Sequence, residues 1–400
     1  MPPPPPFARW LKRTNDVTQV FLAAGQISDL VNLAGGLPDP SVWPVEALAD
    51  LSARAVRDHP QEALGYPPIE GLPRLRDAIA ARFSTDGLRL RRENVLITTG
   101  GMQGLELIGK VLLDEADVIA AQTPAYLGAL DAWRPRGPEY RPLRMEEETR
   151  DLPYLMRGAK FTYTVPNFSN PTGRLVDTEQ RAALVAAAQA TGVWLVEDDP
   201  YGALYYDGTP LPRMLTLCGG DPYDGPVIYL GTLSKELAPG LRIGWVIAAP
   251  EMIAALTAAK QGSDMCTSGL SQQVACMALK DGLCERVLPD ILSLYSARRD
   301  ALCAAMAEQL GELFEWEVPT GGMFVWARAR DPRLDTDRLM QEGLSHGVCV
   351  SPSSVFDPEG LDRGAVRINF TLNPPEKLAE GVRRLAEASR AVLAGSQAAG

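Results

Sequence analysis

The stretch GTLSKELAPGLRIGW, residues 231–245, sets a single lysine among small, turn-forming and apolar residues. Lys235 follows Thr232 and Ser234, precedes Pro239-Gly240, and has Arg242 seven residues on. A lysine amine is a nucleophile only when neutral. Desolvation and nearby positive charge both lower its pKa toward that state. Leu233, Leu237 and Leu241 would supply the first effect and Arg242 the second. On the residues alone, an ordinary solvated cation stays open as the alternative.

Three further segments carry residues suited to chemistry. TTGGMQGLEL, residues 98–107, puts glycines between a strand and a helix, where backbone amides and the helix dipole can hold a phosphate or merely form a tight turn. VPNFSNPTG, residues 165–173, ends a strand in an Asn-Pro-Thr-Gly turn in which Asn170 is either a functional amide or a turn cap. VEDDPYGALYYDG, residues 196–208, leaves Asp198 at the end of an apolar strand with Tyr201 three residues on. A carboxylate there is a helix cap or a buried ion with a cationic partner.

The elements that must position these residues follow from periodicity. Residues 94–99, 117–121, 160–166, 192–198, 227–231 and 242–249 read as strands, several apolar on both faces, as in a sheet covered by helices on both sides. Helical patterns such as MQGLELIGKVLLDE and TEQRAALVAAAQAT alternate with them, which is an α/β signature. From about residue 296 a helical ARRDALCAAMAEQLGEL leads to short strands in FEWEVP, GMFVWARA and AVRINFTL, then to a closing helix. This predicts a large domain over 36–295 and a small α+β domain over 296–400, with a boundary near 290–300. Residues 1–35 form an N-terminal segment that belongs with the small domain or with a partner subunit.

Composition narrows the chemistry. A chain of 400 residues suits two domains, or one large and one small. A net charge of −11 argues against nucleic-acid or anionic-membrane binding. No apolar run is long enough to span a bilayer, and the MPPPPPFARW start lacks the order of a signal peptide, which predicts a cytoplasmic protein. Its proline run reads as a frayed arm. The six cysteines lack C-x-x-C spacing and read as buried free thiols. With only His59 and His346, a His-ligated metal site or a His-based triad is not expected.

Taken jointly and in this order, the segments resemble fold-type-I pyridoxal-phosphate enzymes, class I/II of the aspartate aminotransferase superfamily, in its aminoadipate/kynurenine aminotransferase branch. The resemblance runs from VNLAGGLPDPSVWP near the N-terminus, through LGYPPIEGLPRLR, to RINFTLNPPE, nearly the whole chain. It implies an α/β fold with a mostly parallel central sheet flanked by helices, pyridoxal 5′-phosphate as cofactor, and a homodimer with shared active sites.

The resemblance also implies roles. Lys235 links to the cofactor, is displaced by the substrate amine, and carries the proton between Cα and C4′. Asp198 pairs with the pyridinium nitrogen, Tyr201 and Asn170 with O3′, and Tyr126 stacks on the ring. The backbone amides of Gly101 and Met102, the hydroxyls of Thr232 and Ser234, and Arg242 cup the phosphate. Close relatives often carry Ser-Gln at 101–102, so side-chain contacts from those positions are lost here while the amides remain. Tyr66 reaches the phosphate of the neighbouring subunit. Arg367 grips the substrate α-carboxylate, and Gly36 lets the backbone approach it.

The implied reaction moves an amino group from an L-amino acid (aromatic, long aliphatic or aminoadipate-like) to a 2-oxo acid, 2-oxoglutarate, by a ping-pong mechanism. A same-fold lyase, decarboxylase or synthase shares the catalytic set. An effector-sensing regulator would carry a winged-helix domain ahead of LAGGLP, where about thirty residues leave no room for one. Side-chain specificity is sought in residues 11–30, where Arg13 and Gln26 are as compatible with a solvated helix face.

Overall fold

The computed structural model describes residues 6–13, 29–145 and 151–397. Strand β1 (Val31–Asn32) comes first. It is followed by β2 (Val95–Thr98), β3 (Val118–Gln122), β4 (Glu139–Leu143), β5 (Phe161–Thr164), β6 (Trp194–Asp198), β7 (Val227–Thr232) and β8 (Gly244–Ile247). Strands β2 to β8 form one sheet in the order β2-β8-β7-β6-β5-β3-β4. The run from β4 through β3, β5 and β6 to β7 is parallel, and β8 lies antiparallel to both β7 and β2. Strands β2, β5, β7 and β8 are buried along their whole length. That is why they read as apolar runs rather than alternating ones. The strand expectations hold to within a few residues at each end, and the α/β class holds.

The C-terminal sheet is built from β9 (Phe314–Trp316), β10 (Phe324–Ala329), β12 (Ser351–Pro352) and β13 (Ala365–Asn369), ordered β12-β13-β10-β9 and antiparallel throughout. Strand β11 (Val348–Cys349) pairs in parallel with β1. The segment leading into the large unit therefore docks on the C-terminal unit of its own chain. Asp39 fastens it further: its carboxylate pairs with Arg298 at 2.5 Å, both side chains at most 10% exposed.

The change of texture at 290–300 falls inside one unbroken helix, Leu283–Gln309. One expectation needs correction. The cysteines are free, yet only Cys284 and Cys349 are buried, the other four being half-buried. Residues 1–5 of the proline arm, Gln26, and the side chain of Arg13 lie outside the described residues. Among the described residues no helix is long and apolar enough to cross a membrane.

Candidate active site

A parallel sheet delivers side chains to one edge, because each strand leaves it at the same end. Here β6 ends at Asp198, β7 at Thr232, and β5 runs on toward Asn170. Helix Gly101–Leu112 begins just beyond β2, and Arg242 precedes β8 at the same edge. These ends enclose a cavity of about 450 Å³. Every candidate residue lines it except Tyr66: Gly36, Gly101, Met102, Tyr126, Asn170, Asp198, Tyr201, Thr232, Ser234, Lys235, Arg242 and Arg367.

Lys235 lines this cavity and is half-buried. Its Nζ donates to the carbonyl of Gly36 at 2.8 Å. Burial, and then the positive charges of Arg367 and Arg242, bring the amine's pKa down to about 8. The sequence pointed to apolar neighbours and Arg242. The fold adds Arg367, which lies 132 positions away along the chain.

One end of the cavity is built for an anion. The first amides of helix Gly101–Leu112 have no partner within the helix, and they face the cavity at its positive end. The hydroxyls of Thr232 and Ser234 lie 2.9 Å apart, and Ser234 N–H donates to Thr232 Oγ1 at 3.1 Å. The 3-10 turn Pro239–Leu241 leads into Arg242, itself left-handed at φ 53°. The turn brings the guanidinium back toward Thr99 O, 3.5 Å from Nη2. Gly100 makes the approach possible. It has φ 78°, and a Cβ there would stand 2.3 Å from Arg242 Nη2.

A second guanidinium, that of Arg367, also lines the cavity. Arg367 Nη1 donates to Asn170 Oδ1 at 2.6 Å, and Nη2 donates to Ala34 O and to Ser351 Oγ. Its two faces meet Phe324 and Phe356, with 4.4 and 4.7 Å from Cζ to the ring centroids. Burial lowers its pKa to about 10, so it stays cationic at neutral pH. Its Nε is buried without a partner, as a grip awaiting an anion would be.

Asn170 Nδ2 donates to Tyr201 OH at 3.4 Å, and Tyr126 OH lies 3.6 Å from Met102 Sδ. Burial raises the Tyr126 phenol to about 12 and Tyr201 higher still, which keeps both protonated. Asp198 accepts from Tyr163 OH at 2.8 Å. Burial raises its carboxyl to about 7, opposed by that hydrogen bond and assisted by the charge of Asp199. A pyridinium-type partner would offset the burial and hold it ionised.

Gly36 lines the cavity, and its missing side chain makes room for Phe324, whose Cζ would be 3.0 Å from a Cβ. Tyr66 is 89% exposed and does not reach the cavity of its own chain. Residues that the sequence did not single out are Tyr163, Phe324, Phe356 and Ser351. A tyrosine within a fully buried strand was the available signal for Tyr163, since a buried phenol needs a partner.

An amine, a buried carboxylate and an anion cup lining one cavity together fit a phosphorylated pyridine aldehyde. Comparison with known proteins agrees. The family model described as aminotransferase class I and II matches residues 22–385. A 2-aminoadipate transaminase of Thermus thermophilus is 37% identical over 380 residues, covering 94% of each chain. An aromatic-amino-acid aminotransferase of Thermococcus litoralis is 35% identical over 374 residues, covering 90% of this chain and 88% of that one. Among solved structures, the α-aminoadipate aminotransferase of Thermus thermophilus complexed with N-(5′-phosphopyridoxyl)-L-leucine superposes with a TM-score of 0.87 at 34% identity, over 97% of this chain and 98% of that one.

Proposed function

For a chain that belongs to the class I and II aminotransferases, and is therefore a pyridoxal-phosphate-dependent transaminase, we propose that the reaction runs on Lys235 in the cavity at the sheet edge. The observation that carries this is the position of its Nζ, with pKa about 8, between an anion cup and a guanidinium. Pyridoxal 5′-phosphate, when bound, supplies an aldehyde that links to amines and a pyridinium ring that withdraws electrons from the substrate Cα.

The chain's own residues do the rest. The amides of Gly101 and Met102, with Thr232, Ser234 and Arg242, would hold the phosphate. Asp198 would hold the ring nitrogen, Tyr201 and Asn170 would hold the ring hydroxyl, and Tyr126 would cover the ring. Arg367, held between its two aromatic rings, takes the substrate α-carboxylate bidentately and so presents the α-hydrogen to Lys235. Lys235 would take that proton as base and give one back as acid. Two half-reactions share the site, first with an amino acid and then with a 2-oxo acid.

We further assign the donor to aromatic, long aliphatic or aminoadipate-like L-amino acids, a reading supported by the names of the relatives, and the acceptor to 2-oxoglutarate. A cytoplasmic homodimer in which Tyr66 reaches the partner's phosphate, and a division into 1–35, 36–295 and 296–400, belong to the same proposal. The exposure of Tyr66 favours the dimer. The test is incubation of the loaded protein with a panel of L-amino acids, following conversion of the visible cofactor band to that of pyridoxamine 5′-phosphate. Conversion by at least one aromatic or long-chain amino acid, reversed by 2-oxoglutarate, is expected. No conversion with any of them sinks the proposal.

A further inference from the structure

Tyr163 stands in β5 behind the cavity wall, out of reach of anything bound in front. Its ring is fully buried and meets Trp133 edge-on, centroids 5.0 Å apart. In the parallel register of β5 and β6 it lies opposite Val196, and its phenol reaches two residues forward to Asp198 Oδ2 at 2.8 Å. Burial keeps that phenol far above its ordinary pKa, so it remains a donor at every working pH. No hydrogen bond from a described residue reaches Asp198 Oδ1, which is left for the cavity. The other groups that face this carboxylate are Asp199, next along the chain, the phenols of Tyr126 and Tyr201, and Lys235 across the cavity.

We propose that Tyr163 is a positioning residue for Asp198: it occupies Oδ2, turns Oδ1 to the ring nitrogen of the cofactor, and keeps the carboxylate a weak enough base to leave the shared proton on the ring. The inference rests on the role given above to Asp198. Its physical basis is that a hydrogen bond donated to a carboxylate favours the charged form. Without it, Asp198 is a buried carboxyl beside the negative Asp199, and both influences favour protonation. A more basic Asp198 would draw the proton from the ring nitrogen and weaken the electron sink. Arg367, given the substrate carboxylate above, bonds to Asn170, Ala34 and Ser351 and shares no hydrogen bond with Tyr163 or Asp198, so the proposal leaves substrate binding untouched. The sheet also keeps Tyr163 specific to Asp198. Successive strand residues point to opposite faces, and Asp199 accordingly takes its own partners, Asn167 and Tyr229, on the other side.

The test compares dissociation constants of pyridoxal 5′-phosphate and of its 1-deaza analogue, which has carbon in place of the ring nitrogen, for wild type and Tyr163→Phe. Wild type should prefer the natural cofactor. Tyr163→Phe should reduce that preference about tenfold, the size of one hydrogen bond to a charged group, and should leave the deaza analogue's affinity within about twofold. In the same variant kcat should fall while KM holds. Equal weakening of both ligands would assign Tyr163 a merely structural role and overturn the proposal, as would an unchanged preference. Incorporating 3-fluorotyrosine at position 163, a more acidic donor of nearly equal volume, should hold or raise the preference; a reduced one overturns the proposal independently of how Tyr163→Phe folds. A wild type with no preference at all would remove the role of Asp198 as well, which separates the two failures.

Discussion

At the scale of the residue, the amine of Lys235 is the group whose environment is most legible as chemistry. Its folded pKa of about 8 lies below the ordinary 10.5. The unfolded chain therefore binds the proton more tightly, and burial of the lysine costs stability wherever the amine must stay charged. That cost is full below pH 8, fades between pH 8 and 10.5, and is gone above. Lys235→Met should therefore stabilise the cofactor-free protein at pH 7 by about 1–2 kcal/mol, cavity water trimming the rest. The gain should shrink as the pH approaches 10. Denaturant unfolding of the two cofactor-free proteins at both pH values measures it, and a gain that does not shrink contradicts the assignment. The same variant should bind cofactor without a reducible covalent link.

At the scale of the element, the anion cup depends on how closely two turns approach. Gly100, at the helix start, and Arg242, after the 3-10 turn, touch because one lacks a side chain. Gly100→Ala puts a Cβ at φ 78°, 2.3 Å from Arg242 Nη2. We expect a stability loss of about 1 kcal/mol from the backbone and, as the guanidinium swings away, about a tenfold loss of cofactor affinity. Gly101→Ala is the control. It sits in the helix with nothing within 4 Å of a new Cβ, and its amide is retained. It should leave affinity unchanged and stability equal or slightly higher. Cofactor titrations and unfolding curves of both variants decide the matter, and equal losses in the two would refute the Arg242 contact. Element types were readable along the chain. Helix Leu283–Gln309 carries Pro289 in its interior and runs through the change of texture at 290–300. Packing on both units outweighs the local preference.

At the scale of the whole molecule, every proposed site residue lines one cavity of a single chain except Tyr66, which is exposed on its own surface. If it serves the partner, two damaged chains can make one intact site. In a mixed dimer of Lys235→Ala with Tyr66→Ala, one site carries both lesions and the other carries neither. Random mixing of the two proteins should restore about a quarter of wild-type activity, half the dimers being mixed with one good site each. Mixtures no more active than the average of the two parents would place Tyr66 outside the partner's site. The net charge of −11 is in keeping with small-molecule chemistry.

By itself the sequence determined the strands, the sheet class, and the residues whose types announce themselves locally. Asp198 is a carboxylate ending an apolar strand, Lys235 an amine without polar company, and Asn170 an amide in a proline turn. Each is set by the residues beside it, and local patterning is enough to find it. Only the tertiary structure decided what those groups meet. Arg367 reaches Asn170 across 197 positions, and Tyr163 reaches Asp198 across 35. β5 is buried on both faces, so no alternation marks which way its tyrosine points. Partnership across a sheet is fixed by strand order and register, and these are properties of the packed core that no stretch of the chain contains alone.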